Sequence, residues 1–172
     1  MTTLIAGLGN VLMGDDAIGP TLIYYLRAFY EFPPEVELKD FGTPGIDLAQ
    51  HLANRDTVIL VDASEDPASA PGTVKVVDPA GLPAAREFPR HDLHAPDWHE
   101  SLQLSRLHGV PPRRLILIGV AAGSCQLGEP MSPEISAHLE TILDEVAAVI
   151  SGLGIALVRR AAPQPPELWW QR

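Results

Sequence analysis

The chain has 172 residues, 46% of them hydrophobic and 20% charged, enough to bury one core of ordinary domain size without covalent staples. Its formal net charge of −10 argues against a nucleic-acid partner, because phosphate binding requires clustered Lys and Arg. The single cysteine, Cys125, excludes an internal disulfide and fits a reducing cytoplasm; residues 1–15 lack a signal-peptide pattern, and no run of about 18 apolar residues suggests a membrane span.

Taken in chain order, Thr3 to Ala6 is a short apolar run backed by Gly7 and Gly9, and reads as a buried strand entering a turn. From Asp16 the period changes: Ile18, Leu22, Tyr25, Leu26 and Phe29 recur at helical spacing, with Pro20 in the first turn and Pro33-Pro34 stopping the helix by residue 32. Val36 to Phe41 alternates as a second strand, Gly42-Thr43-Pro44-Gly45 is a turn, and Ile46 to Ala53 reads as a short helix. Thr57 to Ala63 is a continuous apolar strand that ends in an acid, and Thr73 to Val77 is a strand that Lys75 marks as an edge. Residues 79 to 96, rich in Pro, Arg and His, read as an irregular loop, of a length that is usually functional or mobile. Pro96 opens a helix carrying Trp98, Leu102 and Leu104 and stopped by Gly109. Arg114 to Val120 is a strand apolar on both faces. Ser132-Pro133-Glu134 starts a helix, with the hydroxyl as cap and Ile135, Leu139, Ile142, Leu143, Val146 and Ile150 as its buried stripe. Gly152 and Gly154 end it, Ile155 to Val158 is a candidate last strand, and the Pro-rich segment 161–172 is expected to be a loosely held tail, with Trp169 and Trp170 as candidates for docking.

Alternating strands and helices, with continuous apolar strands, indicate a single α/β domain built on a twisted, mostly parallel sheet with helices on both faces. The domain is expected over residues 1–160 and the tail over 161–172. Ligands of such sheets bind beyond the carboxyl ends of the strands, which selects Asn10 to Asp16, Gly42 to Gly45, and Asp62 to Asp66.

Gly7-Leu8-Gly9 invites a dinucleotide reading, but the third glycine of that fingerprint is Leu12 here, and two acids stand where a pyrophosphate would need positive potential. Asp15 and Asp16 suit a helix N-cap; since one acid suffices for capping, the other is left to face the crevice. Asp62 reads equally as a turn residue or as a ligand-placing carboxylate. His91, His94 and His99 fall within nine residues, and two carboxylates with one imidazole suit a borderline divalent ion. His51, His108 and His138 lie in helical patterns and read as surface residues. Cys125 has no CxxC partner and no activating neighbour in sequence.

The order of these features resembles the nickel-iron hydrogenase maturation endopeptidases over roughly residues 3 to 155. GLGNVLMGDDAIGP (Gly7 to Pro20) is similar to that family's opening motif, DFGTPGIDL (Asp40 to Leu48) to its second, and VILVDAS (Val58 to Ser64) to the strand ending in its second metal-binding acid. PGTVKVV (Pro71 to Val77), HAPDWHESLQL (His94 to Leu104), and LILIGV (Leu115 to Val120) followed by MSPEI (Met131 to Ile135) continue the match. Departures are Ala17 where glycine is common, Arg90 before His91, and the connection Ala121 to Pro130.

The resemblance implies a cytoplasmic, monomeric peptidase, aspartic-type by classification. Its partner would be a nickel-iron hydrogenase large-subunit precursor, from which it removes a C-terminal extension once nickel is inserted. The nickel belongs to the substrate, no permanent cofactor is implied, and no membrane or nucleic acid is involved. Carried over residue by residue, the nickel contacts and catalytic positions are Asp16, Asp62 and His94, with His91 the competing histidine. Asp15 is then a cap or a supporting residue, and Thr43 with the Gly42 and Gly45 backbone lines the cleft. The ion would activate a water and polarise the carbonyl, or would only anchor the substrate while a carboxylate acts as general base. A metal-dependent chaperone that holds the precursor without cutting it, a metal-assisted peptidase with another protein substrate, and a nucleotide-binding domain are the competing readings.

Overall fold

A computed structural model describes residues 2–45, 47–78 and 98–171, apart from the side chains of residues 98 and 99. Strands β1 (Thr3–Leu8), β3 (Val36–Gly42), β4 (Thr57–Ser64), β5 (Val74–Val77) and β6 (Arg114–Ala121) form one sheet in the order β3-β1-β4-β6-β5. All pairings are parallel except β5 with β6, so the strand broken by Lys75 is an antiparallel edge. Helices α1 (Ile18–Phe29), α2 (Leu48–Leu52), α3 (Trp98–His108), α4 (Pro133–Ser136) and α5 (Leu139–Gly152) complete the domain with a small ribbon of β2 (Tyr30–Glu31) and β7 (Val158–Arg159).

Strand periodicity divides the core. Ile5, Ile59, Val61, Ile116, Ile118 and Val120 face α1 and α5, meeting Ile18, Leu22, Leu26, Leu143, Val146 and Ile150. Leu4, Ala6, Val58, Leu60 and Leu115 face the other way, against Leu48 and Leu52 of α2 and Leu102 of α3. Alternate side chains of one strand point to opposite faces, so strands that are apolar throughout must be covered on both sides. Each fully buried Val, Leu or Ile among them contributes about 1.5–3 kcal/mol relative to exposure.

Several local expectations are corrected. The stripe from Ile135 to Ile150 belongs to two helices, because the chain tightens at Ala137 and His138: His138 N–H donates to the Ile135 carbonyl at 3.1 Å, and its Nδ1 lies 2.8 Å from the Glu134 carbonyl oxygen. The Ser132 hydroxyl caps nothing; it is buried and makes no hydrogen bond among the described residues. The last strand is Val158–Arg159, and it pairs antiparallel with Tyr30–Glu31 rather than extending the main sheet. That pairing is held by a side-chain network in which the Tyr30 hydroxyl donates to Asp144 Oδ1 at 2.6 Å and Arg159 bridges to the same carboxylate. Arg159 and the tyrosine hydroxyl hold the Asp144 carboxyl below the usual carboxylate range. His51, expected at the surface, is half-buried: burial and Lys39, whose Nζ lies 3.4 Å from Nε2, push its pKa down. His108 and His138 are exposed.

The tail packs back on the domain. Leu168 is buried, and the Trp170 ring meets Tyr24 of α1 edge-on at 5.4 Å between centroids. Among the described residues, no helix is long and apolar enough to cross a membrane.

Candidate functional site

Glycines bring the first helix onto the strand ends. A Cβ at Gly19 would stand 2.1 Å from the Leu8 carbonyl oxygen and 2.5 Å from that of Val61; one at Gly7 would stand 2.5 Å from the Gly19 carbonyl oxygen. The start of α1 therefore sits against the carboxyl ends of both β1 and β4. Gly7 pairs with Val61 across those strands, so Asp62 follows directly where α1 and the β1 turn converge. Gly9 has φ +130°, and its Cβ would fall 1.9 Å from the Asp16 carbonyl oxygen.

Between them the chain makes a 3-10 helix, Gly14–Ala17. Asp16 lies on this turn with Oδ2 accepting the Asn10 N–H at 2.6 Å. Asn10 in turn closes its own loop, its Oδ1 accepting the Leu12 N–H at 3.0 Å. Asp62 is half-buried at the end of β4, with Oδ1 accepting the Ala63 N–H at 2.8 Å. By strand alternation it lies on the α2–α3 side of the sheet, with Leu60 and Val58. The turn after β3 joins this edge: Gly9 N–H donates to the Gly42 carbonyl at 2.8 Å, while Thr43 is exposed.

Neither acid acts as a helix cap. No side-chain cap bond forms at the 3-10 helix or at α1. Asp15 is fully buried and points away from the helix, into the connection between β6 and α4. Its Oδ2 accepts the N–H groups of Gly123 at 2.7 Å and Ser124 at 3.1 Å, and its Oδ1 accepts that of Ser132 at 2.6 Å. Asp15 thus has a partner set that no local sequence pattern announced.

Cys125 lies beside the acids. Burial first, then the carboxylates of Asp16, Asp15 and Glu65, push its thiol up to about 12. It is protonated at neutral pH and is no thiolate nucleophile. The same electrostatic coupling shows that Glu65, one residue beyond β4, belongs to this acidic neighbourhood, a residue the sequence reading did not single out. Its signal was its position just past a strand's carboxyl end.

Next to the Asp16 turn runs a groove of about 650 Å³, lined by Val11, Leu12, Gly14, Leu127, Glu129, Met131 and Trp170 among others. A smaller hollow of about 250 Å³ at Tyr25, Ser136 and Glu140 is built from helix surface. Leu12 and Leu127 are 57% and 74% exposed, which leaves apolar surface on the groove's rim.

The expected third ligand, His94, lies outside the described residues, as does His91. Helix α3, which follows that segment, ends near Asn54, whose Oδ1 accepts the Val110 N–H at 3.1 Å, at the amino edge of the sheet. Through Leu102 it packs on the sheet face that carries Asp62. Among the described residues no group of three potential metal ligands forms.

The family model for hydrogenase maturation proteases matches residues 20–149. The chain belongs to the hydrogenase maturation protease family. It is 33% identical to the hydrogenase 2 maturation protease of Escherichia coli strain K12 over 164 residues, covering 94% of this chain and 98% of that protein. It is 34% identical to the hydrogenase expression/formation protein HoxM of Azotobacter vinelandii over 169 residues, covering 94% of this chain and 81% of the relative. Among solved structures, the hydrogenase maturating endopeptidase HybD from E. coli superimposes with a TM-score of 0.78 at 31% identity, covering 94% of this chain and 99% of that one. As a hydrogenase maturation protease, this protein is a peptidase acting in hydrogenase maturation, on a single-domain α/β fold with a mostly parallel sheet.

Proposed function

We infer that this maturation protease removes the C-terminal extension of a nickel-iron hydrogenase large-subunit precursor after nickel insertion, reading the substrate's nickel through Asp16, Asp62 and His94. The observation that carries this is the packing of Gly19 on the Leu8 and Val61 carbonyls at once, which sets the turn bearing Asp16 against the end of the strand bearing Asp62. Two hard oxygen donors and an imidazole form a donor set acceptable to a borderline divalent ion. The histidine reading is supported by the packing of α3 on the face that carries Asp62, with His94 four residues ahead of that helix.

The nickel enters as part of the substrate. Held by the two acids and the histidine, it anchors the cleavage region against the groove beside Asp16, and such positioning supplies several kcal/mol of the barrier to hydrolysis. Held there, the ion would polarise the scissile carbonyl and lower the pKa of an attacking water, or would serve as anchor alone while a carboxylate acts as general base. The Asn10 N–H fixes one Asp16 oxygen, and the Ala63 N–H one Asp62 oxygen, so both carboxylates meet the ion already oriented. The enzyme acts in this reading as a cytoplasmic monomer.

The test is cleavage of nickel-loaded large-subunit precursor by the wild type and by Asp16→Asn, Asp62→Asn, His94→Ala and His91→Ala. The first three are expected to lose about 100-fold or more, equal to roughly 2.7 kcal/mol of transition-state stabilisation, and His91→Ala far less. Full activity in the first three overturns the site assignment. Equal cleavage of nickel-free precursor overturns metal recognition, and complex formation without a shortened product turns the reading to a chaperone.

A further inference from the structure

The geometry points to Asp15 as a positioning residue: its carboxylate pins the connection between β6 and α4 against the Asp16 turn and thereby shapes the groove that receives the precursor. This rests on the functional reading above and adds a residue and an element to it.

Three backbone N–H groups, those of Gly123, Ser124 and Ser132, converge on one fully buried side chain. Only a group that accepts at both oxygens satisfies all three, and a carboxylate is that group. Bonds from N–H to a carboxylate are the stronger, charge-assisted kind, and each N–H left unmet in a buried site would carry its full desolvation penalty. The backbone repeats the attachment: Asp15 N–H donates to the Ser124 carbonyl at 2.8 Å, Gly14 N–H to that of Glu129 at 3.1 Å, and Gly128 N–H to that of Leu12 at 2.8 Å. Gly14, at φ +55°, permits the approach, since a Cβ there would stand 2.5 Å from the Ser124 carbonyl oxygen.

The connection held in this way is irregular over residues 122–132, half-buried at its two ends and exposed over 126–130. It supplies Leu127, Glu129 and Met131 to the groove, while the turn it is pinned to supplies Val11, Leu12 and Gly14. The two walls of the groove therefore meet at Asp15. Asp16, the next residue, sits on the same turn with its own oxygen on Asn10. Adjacent acids divide the labour: one sets the walls, the other faces the substrate.

The experiment compares the full-length wild type with Asp15→Asn, and with Asp15→Ala as the harsher variant. Hydrogen exchange reads the amides of Gly123, Ser124 and Ser132, and cleavage and binding of nickel-loaded precursor read KM, kcat and Kd. An asparagine keeps one acceptor oxygen and turns an NH₂ toward the remaining donors, so at least one of the three amides is expected to exchange faster. KM and Kd are expected to rise roughly tenfold to a hundredfold, with kcat within about threefold, the range found for groups that orient a site through others. A residue that only stabilises the fold would instead lower the active fraction and leave KM and Kd alone. Unchanged KM and Kd in an active, folded Asp15→Asn protein overturns this inference and leaves the functional reading standing. A wild type that neither binds nor cleaves the precursor overturns the functional reading, and this inference with it. If Asp15→Ala fails to fold, Asp15→Asn decides.

Discussion

The carboxylate of Asp15 accepts the backbone N–H of Ser132 at 2.6 Å, joining positions 117 residues apart. This bond closes the end of the sheet: Asp15 stands on the first strand–helix turn, and Ser132 at the entry to the last two helices. The Ser132 side chain itself leaves the N-cap role unfilled. Its N–H is committed to Asp15, and its hydroxyl is buried without a hydrogen bond among the described residues.

The Gly19 contact sets a first expectation. Gly19→Ala drives a methyl to 2.1 Å from the Leu8 carbonyl oxygen, a backbone atom that cannot swing aside. The start of α1 must lift from the strand ends, at a cost of about 1–3 kcal/mol in urea unfolding, with a parallel loss of cleavage. A cost below about 0.5 kcal/mol, the level of an ordinary surface change, would show that the contact is not close-packed.

The tail offers a second. Ending the chain after Pro166 removes Leu168, which is 5% exposed, and Trp170, which packs on Tyr24. Loss of one buried leucine and one aromatic pair is expected to cost about 2–4 kcal/mol and to lower Tm. An unchanged unfolding midpoint would mean that residues 167–172 contribute nothing to the fold.

Tyr30 ties the small ribbon to α5. Tyr30→Phe removes the hydroxyl that donates to Asp144 and is expected to cost about 1 kcal/mol. The Asp144 carboxyl, held below its usual range first by Arg159, contributes stability above that range and loses it as pH falls through its lowered pKa. Arg159→Met should therefore move the Asp144 midpoint upward in a carboxyl-carbon NMR titration. No movement would dissociate the two residues.

Asp66 gives the clearest pH expectation. Lys75, then the Ser69 hydroxyl and the Ala68 N–H, take its carboxyl from 3.8 down to about 2. A depressed acid stabilises the folded state above its unfolded value, so this contribution is present above pH 3.8 and disappears as pH falls through about 2. In the NMR titration Asp66 should show its midpoint near 2, and Lys75→Met should return it toward 3.8. A wild-type midpoint near 4 would mean that the lysine bridge does not persist in solution.

Much of the fold could be read from local patterns. The apolar run of Thr57 to Ala63 and the alternation beginning at Val36 both correspond to strands of the sheet, and Lys75 did mark an edge. The Gly7-Leu8-Gly9 turn did lead to an acid at a strand's end, because backbone conformation and strand periodicity are properties of short stretches. The break at Ala137 and His138 was not readable in that way, since an apolar stripe with helical period carries across a single tightened turn.

By itself, the sequence determined the strand–loop–helix order, the two-sided core, and the placing of Asp16 beyond the first strand and of Asp62 in the last residues of β4, since each follows from periodicity and from the rule for parallel sheets. Tertiary structure alone decided which acid turns inward. Asp15 and Asp16 are chemically identical neighbours with the same capping propensity, and nothing local separates them. The difference is made by three N–H groups more than a hundred residues away, whose positions are fixed only once β6 has docked beside β4. The same reason governs β7: the candidate strand ending at Val158 showed no partner in sequence, and Tyr30 and Glu31 reach Val158 and Arg159 only after α1 and α5 have packed together.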